Sequence, residues 1–305
     1  MIYTVTLNPA VDYLVYLPAL SVGEIQRSTR EAFYFSGKGI NVSKVLLTLG
    51  MESVALGFLA GFTGRAIADA LTEEGIRHDF CFLPKGSTRV NVKIRHGAET
   101  DLNCQGPDIP EEPFAMLVEK LSRLSDGDVL ILSGSVPKTL RKDAYAQMMQ
   151  SVSGKGIRTV VDADGELLLN SLSERPYLVK PNREELSAVL QKPLLSDDAL
   201  IEGARELQKR GARNVLVSLG GDGAMYCTES GEVYRIGAAQ GDCVNSIGAG
   251  DSMLAGFVAG LCTGDPVYAL RLGSAAGAAT AFAEGMATKE EIDRIFRSLP
   301  NPERL

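Results

Sequence analysis

The chain has 305 residues, of which 45% are hydrophobic and 23% are charged, and these proportions are typical of a globular protein rather than of a disordered or fibrous one. Its formal net charge of -7, from 31 basic and 38 acidic residues, argues against broad attraction to nucleic acid or to a membrane surface. Five widely spaced cysteines without a C-x-x-C pair, together with only two histidines, argue against a zinc site and a disulfide scaffold. An anionic ligand would therefore need a local cluster of basic residues.

The N-terminal segment MIYTVTLNPAVDY predicts a strand rather than a secretion signal, because it has no basic region and soon reaches a proline and an aspartate. No apolar run approaches the ~18 to 20 residues that span a bilayer. We therefore expect a cytoplasmic protein with no membrane partner.

Apolar strand-like runs alternate with segments of helical periodicity along the chain. Strands are expected in IYTVTL, VALGFL, DVLILSGS, RTVVDADG, YLVKPN and NVLVSLGG, and helices in GINVSKVLLTLG, GRAIADALTEEG, FAMLVEKLSRL and DDALIEGARELQKRG. This alternation predicts a parallel sheet with helices on both faces, in which ligands bind beyond the carboxyl ends of the strands. The length fits one large α/β domain or two ordinary ones.

Two segments, residues 10–35 and 88–107 in approximate bounds, depart from this pattern and alternate with a period of two. In the second segment Val90, Val92 and Ile94 alternate with Arg89, Asn91, Lys93 and Arg95. The alternation predicts half-buried antiparallel strands that join in space as a small sheet, a lid or dimer clasp beside the ligand cleft. The alternative is an ordinary edge extension of the main sheet.

The glycine-rich segment SGKGINVSKVL, which begins at Ser36, precedes a predicted helix. Gly37 and Gly39 flank Lys38, and Asn41 follows them. Close backbone approach combined with a lysine and an amide suits a sugar hydroxyl or a phosphate, although a structural turn explains the same residues equally well. The segment is not a Walker A loop, because G-x-x-x-x-G-K-[ST] occurs nowhere in the chain.

Two later segments have a structural interpretation. In KPNREEL, Asn182 with Glu185 three residues on is typical of a helix capping box. The segment VSLGGDGAMY predicts a strand, a glycine turn and a second strand.

The segment NSIGAGDSM places Gly248, Ala249, Gly250 and Asp251 just before an apolar helix. A broad buried stripe is predicted for that helix at Met253, Leu254, Phe257, Val258 and Leu261. Unpaired N–H groups at a helix N-terminus attract anions, so the turn suits a phosphoryl group in transfer. An uncovered Asp251 could then accept the proton of an attacking hydroxyl, whereas the alternative is an aspartate that merely caps the helix.

Seven segments resemble, in order and spacing, the motifs of the ribokinase-like PfkB sugar kinases, and together they extend over nearly the whole chain. They are TLNPAVD, GKGINVS, TRVNVKI, LSGSVP, KPNREEL, VSLGGDGA and NSIGAGDSM. The resemblance implies a three-layer α/β/α sandwich with a mainly parallel sheet and a small β-sheet lid. It also implies a single kinase domain over residues 1–305, with the lid inserted in it, and a homodimer formed through the lid.

The resemblance assigns roles to individual positions. Asp251 corresponds to the catalytic base, and Gly248, Ala249 and Gly250 correspond to the anion hole. The acceptor sugar phosphate is expected at Asp12, Arg27, Gly37, Lys38, Asn41, Arg89, Lys93 and Ser135, where Arg27, Lys38, Arg89 and Lys93 form the basic cluster for its phosphate. ATP is expected at Lys180, Ser218, Gly220, Gly221, Gly223, Ser274 and Ala278, and Mg²⁺ is expected near Asn182 and Glu185, through water. Small residues such as Ser274 and Ala278 on a helix are more commonly packing residues.

The reaction implied by the resemblance is transfer of the γ-phosphate of ATP to the C6 hydroxyl of fructose 1-phosphate, which gives fructose 1,6-bisphosphate and ADP. Tagatose 6-phosphate and fructose 6-phosphate are alternative acceptors, because the acceptor pockets differ only in the placement of a few polar groups. A sugar-phosphate sensor without catalytic activity is a third possibility, but such a protein is expected to have lost the acid or the glycines of the anion hole.

Two positions depart from the family pattern. Ser36 stands where the family often has a glycine before the lysine, and Asp164 in the segment DADG stands where many relatives have serine. The first departure is expected to alter how the lid strand enters the turn.

Overall fold

The computed structural model describes residues 1–97 and 99–305, and its largest feature is an 11-stranded sheet. The strands of the chain are β1 (Ile2–Thr6), β2 (Ala10–Tyr16), β3 (Arg30–Ser36), β4 (Ser53–Ala60), β5 (Arg77–His78), β6 (Cys81–Leu83), β7 (Arg89–Arg95), β8 (Glu99–Leu102), β9 (Val129–Ser133), β10 (Arg158–Asp162), β11 (Leu178–Val179), β12 (Asn214–Ser218), β13 (Ala224–Cys227), β14 (Val233–Ile236) and β15 (Glu303–Arg304).

The main sheet has the order β15-β14-β13-β12-β11-β10-β9-β1-β4-β5, and β6 also pairs with β4. Pairing is parallel from β5 through to β12 and antiparallel from β12 to β15. The predicted strand in YLVKPN is reduced to the two residues of β11. The hairpin predicted in VSLGGDGAMY is confirmed as β12 and β13, which pair antiparallel.

Helices cover both faces of this sheet. They are α1 (Lys38–Thr48), α2 (Gly61–Glu73), α3 (Glu111–Leu121), α4 (Ala144–Ser151), α5 (Gly165–Ser171), α6 (Arg183–Leu190), α7 (Asp197–Arg210), α8 (Ala249–Leu261), α9 (Pro266–Ala281) and α10 (Lys289–Ser298). One apolar core lies between the sheet and α3 to α7, and a second lies between the opposite face and α1, α8, α9 and α10. Alternate residues of the central strand β9 enter the two cores, since Leu130 and Leu132 join the first and Val129 and Ile131 the second. The predicted three-layer fold is therefore confirmed.

Polar side chains gather where the parallel strands end. Asn8 follows β1, Ser135 follows β9, Asp162 ends β10, Lys180 follows β11 and Ser218 ends β12. The carboxyl ends of parallel strands meet at one edge of a sheet, so these residues share the edge at which ligands bind.

A separate four-stranded sheet, with the order β3-β2-β7-β8, lies beside this edge. We call it the lid sheet, and it corresponds to the predicted small sheet; Ala98 of the predicted 88–107 segment lies outside the described residues. The prediction that its strands are antiparallel is wrong in part. β2 pairs antiparallel with β3, and β7 with β8, but β2 and β7, which are distant in sequence, run parallel.

The polar side of β7 is its more buried side. Asn91 and Lys93 are buried, whereas Val90, Val92 and Ile94 are only half-buried. Register places Asp12 opposite Asn91 on this face of the sheet. The alternation therefore reflects a polar face turned toward a ligand cleft, while Val90 on the opposite face packs against a small apolar core.

None of the helices in the described part of the chain has the length and apolar character that crossing a bilayer requires.

Candidate active site

Asp251 lies in the first turn of α8, behind a turn whose backbone favours glycine. The helix N-cap is Gly248, whose φ of 80° lies in the left-handed region, and a Cβ there would come within 2.3 Å of Cε of Met286. No side chain caps the helix, so the interpretation of Asp251 as a capping residue is wrong. The predicted apolar stripe of α8 is buried at Leu254, Phe257 and Val258 and half-buried at Met253 and Leu261.

The expectation that the turn leaves Asp251 uncovered is also wrong, because its side chain is only 6% exposed. Its surroundings are polar, however: the Asn41 amide donates a 2.8 Å hydrogen bond to Asp251 Oδ2. Burial, followed by the negative charge of Asp162, raises the pKa of Asp251 to about 6, against the lowering effects of Asn41, Lys38 and Lys180. A carboxyl group with that pKa is ionised at neutral pH yet basic enough to accept a proton.

Two lysines share one buried carboxylate beside Asp251. The Nζ atoms of Lys38 and Lys180 lie 3.3 and 3.4 Å from Oδ1 of Asp162, whose side chain is 1% exposed. Burial opposes the ionisation of Asp162, but the charges of Lys180 and Lys38 outweigh it and lower the pKa of that carboxyl group. Burial would also lower the pKa of Lys38, yet Asp162, Asp251 and Glu185 together raise it. Asp162 therefore positions two lysines, one on the predicted acceptor side and one on the predicted nucleotide side.

Lys180 Nζ also faces the start of α8. A Cβ placed on Gly250 would lie 3.4 Å from this atom, and it would meet no other neighbour within 4 Å. The space in front of Gly250 is thus open, and it is bounded by a cation and by the N–H groups of the first helical turn. Such a place suits an anion.

Gly250→Ala tests the use of that space. Alanine favours a helix over glycine by up to about 1 kcal/mol, and the added methyl meets only an ordinary van der Waals contact, so we expect unchanged or higher thermal stability. We expect kcat to fall about 10²-fold, because the methyl group fills the position of the transferring phosphoryl group. Steady-state kinetics measures kcat of the variant, and thermal unfolding measures its stability. Turnover within twofold of the wild-type value would show that the space is not used.

A cavity of about 190 Å³ lies on the acceptor side, at the ends of β1 and β9. Among its lining residues are Gly37, Lys38, Arg89 and Ser135, all of them predicted acceptor residues. Its lining also includes Asn8, Ser133 and Asp164, which carry no predicted acceptor role. Asn8 Oδ1, Ser133 Oγ and Arg89 Nε are buried and have no hydrogen-bond partner among the described residues. Since buried polar atoms are normally paired, these atoms indicate a polar ligand.

The predicted basic cluster is brought together only in part. Lys38 and Arg89 share the cavity just described, but Lys93 lines a neighbouring one and is paired with Asp101 at 3.0 Å. Arg27 is exposed on the loop between β2 and β3 and lines neither cavity. Lys93 lies outside the first cavity because of the register of the lid sheet, which places it two positions beyond residue 91 along the cleft.

The neighbouring cavity, of about 80 Å³, lies between the lid sheet and the body. Asp12, Asn41 and Lys93 line it together with the apolar Leu14 and Met286. Since Asn41 also holds Asp251, this cavity and the predicted base are adjacent.

On the nucleotide side, Asn182 and Glu185 form the capping box of α6. Asn182 Oδ1 accepts from the Glu185 N–H at 2.7 Å, and the Asn182 N–H donates to Glu185 Oε2 at 2.8 Å. The cap leaves Glu185 Oε1 without a hydrogen bond from the described residues. The described residues contain no cluster of three or more His, Cys, Asp or Glu side chains arranged to hold a metal directly. A hydrated Mg²⁺ that reaches Glu185 through water fits this donor set.

The remaining predicted nucleotide residues fall into two groups. Asn182 forms a parallel bridge with Ser218, so the end of β12 lies beside the capping box, and the glycine turn at Gly220, Gly221 and Gly223 follows. Ser274 and Ala278 lie on α9, which packs closely on α8, and Ala278 contacts the second core. Packing accounts for Ala278, whereas Ser274 Oγ is buried without a described partner. The binding roles of both groups stay predictions.

Three residues of the site were missed in the sequence. Asp162 stands at the end of a predicted strand, and an acidic residue in that position could have been predicted to lie in the site. Asn91 sits in the polar alternation of β7, and Asn8 follows the first strand, but neither pattern distinguishes a ligand contact from solvent exposure.

A carboxyl group with a raised pKa, an open space at a helix N-terminus and two lysines are the groups expected at the active site of a phosphotransferase.

Comparison with known proteins identifies the family. A family model described as pfkB family carbohydrate kinase matches residues 5–293. The chain is 42% identical over 297 residues to 1-phosphofructokinase of Bacillus subtilis, with 97% of each chain covered. It is 38% identical over 296 residues to D-tagatose-1-phosphate kinase of Bacillus licheniformis, with 96% of this chain and 97% of the relative covered. The crystal structure of phosphofructokinase-2 from Escherichia coli in complex with substrates and products has a TM-score of 0.91 at 29% identity, covering 98% of this chain and 99% of that one. The chain therefore belongs to the pfkB family of carbohydrate kinases, as its motifs predict, and it is an ATP-dependent phosphotransferase.

Proposed function

We propose that the protein transfers the γ-phosphate of ATP to the C6 hydroxyl of fructose 1-phosphate, with Asp251 as the general base. The observation that carries the proposal is the position of Asp251, next to the open space at Gly250 and hydrogen-bonded to Asn41 of the acceptor cavity. The relatives named 1-phosphofructokinase support the choice of acceptor. Tagatose 1-phosphate is a second candidate because of the Bacillus licheniformis relative, and tagatose 6-phosphate and fructose 6-phosphate remain alternatives.

In the proposed mechanism the acceptor enters beneath the lid sheet with its phosphate toward Arg89 and Ser135. Its free primary hydroxyl then reaches Asp251, which removes the proton as the oxygen attacks the γ-phosphate in line. The N–H groups at the start of α8 and the cation of Lys180 stabilise the charge that develops on the transferring group. Since Asp251 is buried in the described conformation, the cleft must open to admit substrates and close again for transfer.

Mg²⁺ is proposed at the capping box of α6, where Glu185 would hold it through water. Bound there with ATP, it would neutralise phosphate charge. Lys38 and Lys180 are both positioned by ion pairs with Asp162.

The direct test is a comparison of acceptors under matched ATP and Mg²⁺. We expect the largest kcat/KM with fructose 1-phosphate, measured as ADP release, against fructose 6-phosphate, tagatose 1-phosphate and tagatose 6-phosphate. A tenfold preference for any of the other three would reassign the substrate. Binding of these compounds without ADP release over hours would instead support a non-catalytic sensor.

We also propose that the lid sheet forms a homodimer. Its outer face carries the stacked rings of Tyr13 and Phe33, with centroids 4.5 Å apart, and Phe33 is 59% exposed. Leu102 of β8 is also exposed on the lid sheet. An apolar face of this kind is typical of an interface between subunits.

Phe33→Asp is expected to convert that dimer into a monomer, because it places a charge in the apolar face. Light scattering at micromolar concentration measures the mass. Leu195→Asp is the matched control, since Leu195 is 85% exposed on a loop outside the lid sheet and should not alter the mass. A wild-type monomer, or a Phe33→Asp dimer, would contradict the proposal.

The cytoplasmic location and the single domain with an inserted lid remain predictions. The five cysteines are all unpaired, which supports a reducing compartment.

A further inference from the structure

Asp12 is the lid residue that points into the cavity between the lid sheet and the body, and its carboxylate is held at both oxygens. The Asn91 amide donates to Oδ1 at 2.7 Å, and the Ser36 hydroxyl donates to Oδ2 at 2.5 Å. Both donors belong to the lid sheet, on strands that flank β2 on either side. The carboxylate is therefore oriented before any ligand arrives.

The two donors differ in what holds them. Asn91 lies opposite Asp12 in register, and its own Oδ1 accepts from the Cys104 N–H at 3.2 Å. Ser36 pairs with Ala10, two residues from Asp12 on the same face, so its hydroxyl reaches the carboxylate diagonally. Ser36 is also the last residue of β3, directly before the glycine turn of Lys38, and it lines the same cavity as Asp12.

From this geometry we infer that Ser36 is a positioning residue for the acceptor sugar, which it serves by fixing the orientation of the Asp12 carboxylate. The inference rests on the proposed function, in which Asp12 accepts a hydrogen bond from an acceptor hydroxyl. Each carboxylate oxygen can accept two hydrogen bonds, and the lid sheet uses one on each. Asp12 lines the cavity, so an acceptor hydroxyl bound there would meet a carboxylate whose orientation is already set. The departure from glycine at residue 36 thus gains a function that a glycine could not supply.

The inference predicts an effect on one substrate only. In Ser36→Ala the Oδ2 atom loses a charge-assisted hydrogen bond, and the carboxylate gains freedom to rotate or to bind water. We expect the KM of the sugar phosphate to rise about tenfold, whereas kcat and the KM of ATP stay within twofold. A purely structural role would lower thermal stability without this selectivity.

The double-mutant cycle with Asp12→Asn separates positioning from a direct contact. If Ser36 acts through the Asp12 carboxylate, Ser36→Ala in the Asp12→Asn background should change the sugar-phosphate KM by less than twofold. An equal tenfold increase in both backgrounds would overturn the inference, and so would a single Ser36→Ala variant with an unchanged sugar-phosphate KM.

A second pair of variants guards against misfolding of Ser36→Ala. Ser36→Thr and Ser36→Val have nearly the same shape, and only the first keeps the hydroxyl, so the sugar-phosphate KM should be lower in Ser36→Thr by about tenfold. Equal values for the two would also overturn the inference. Turnover of the wild-type protein with the four sugar phosphates is measured first. If none of the four is phosphorylated, the proposed function fails.

In that case the same variants are compared by calorimetric binding of fructose 1-phosphate. A tenfold weaker affinity of Ser36→Val than of Ser36→Thr supports the positioning role, and equal affinities overturn it.

Discussion

Asp251→Asn is expected to lower kcat by roughly 10³-fold or more, because the amide cannot accept the proton of the acceptor hydroxyl. The substitution preserves the shape of the side chain, and its carbonyl oxygen can still accept from the Asn41 amide. ATP affinity is therefore expected to stay within about twofold of the wild-type value. Steady-state kinetics and calorimetric ATP binding test the two halves of this prediction.

The same variant should be more stable than the wild-type protein at neutral pH. The folded-state pKa of Asp251, about 6, lies above its ordinary value of 3.8, so the folded protein holds this proton more tightly than the unfolded chain. Between these two pH values the free energy of unfolding falls as pH rises, and above pH 6 the full cost of the buried charge is present. Removing the charge should raise the free energy of unfolding at pH 7.5 by about 3 kcal/mol and have little effect near pH 4.

Asp265→Asn is the matched control for this substitution. Asp265 also lies at a helix start, but there it caps α9 by accepting from the Val267 N–H at 2.9 Å. Its replacement should leave turnover unchanged. Near-normal turnover in Asp251→Asn would show that residue 251 is not the base.

Asp162→Asn is expected to lower kcat/KM by about 10²-fold and to lower the free energy of unfolding by about 3 kcal/mol. The reason is that Lys180, whose side chain is 5% exposed, would lose its buried carboxylate partner. Lys38 would lose the same partner, so cations on both sides of the transferring group would be displaced together. Kinetics at saturating ATP and chemical unfolding provide the two measurements.

The control for Asp162→Asn is Asp293→Asn, which breaks an exposed lysine pair on α10. Lys289 and Asp293 lie 3.2 Å apart with side chains 54% and 42% exposed, so solvent screens their interaction. We expect changes below 1 kcal/mol in stability and none in activity. An Asp162→Asn variant with effects as small as those of this control would show that Asp162 has no role in the site.

Much of the fold could be predicted from the sequence, because strand-like and helical segments alternate along much of the chain. The predicted helices α1, α2, α3 and α7 are present, and the hairpin at Gly220 to Gly223 is present as predicted. The parallel pairing of β2 with β7 could not be predicted, because it joins segments that are distant along the chain and no local pattern encodes such a pair.

The site was predictable where a residue type and a local backbone requirement coincide. Gly248 and Asp251 are of this kind, since the sequence pattern predicts both the left-handed turn and the start of the helix. The burial of Asp251 could not be predicted, because its neighbours, among them Asn41 on α1, are distant from it in sequence. Arg27 does not join Lys38 and Arg89 because it lies on the exposed loop between β2 and β3, whose path no local sequence pattern predicts.

The protonation state of Asp251 is tested most directly by the pH dependence of kcat/KM, which reports essential groups of the free enzyme. Below pH 6 the wild-type value should fall about tenfold per pH unit, since the base must be ionised and its pKa is raised to about 6. A sugar phosphate also loses a proton at a pKa of about 6, so the decisive comparison is between the wild-type protein and Asp162→Asn with one acceptor. The negative charge of Asp162 raises the pKa of Asp251, and its removal should move the acid limb to lower pH. Two profiles with the same acid midpoint would contradict the assignment of Asp251 as the base.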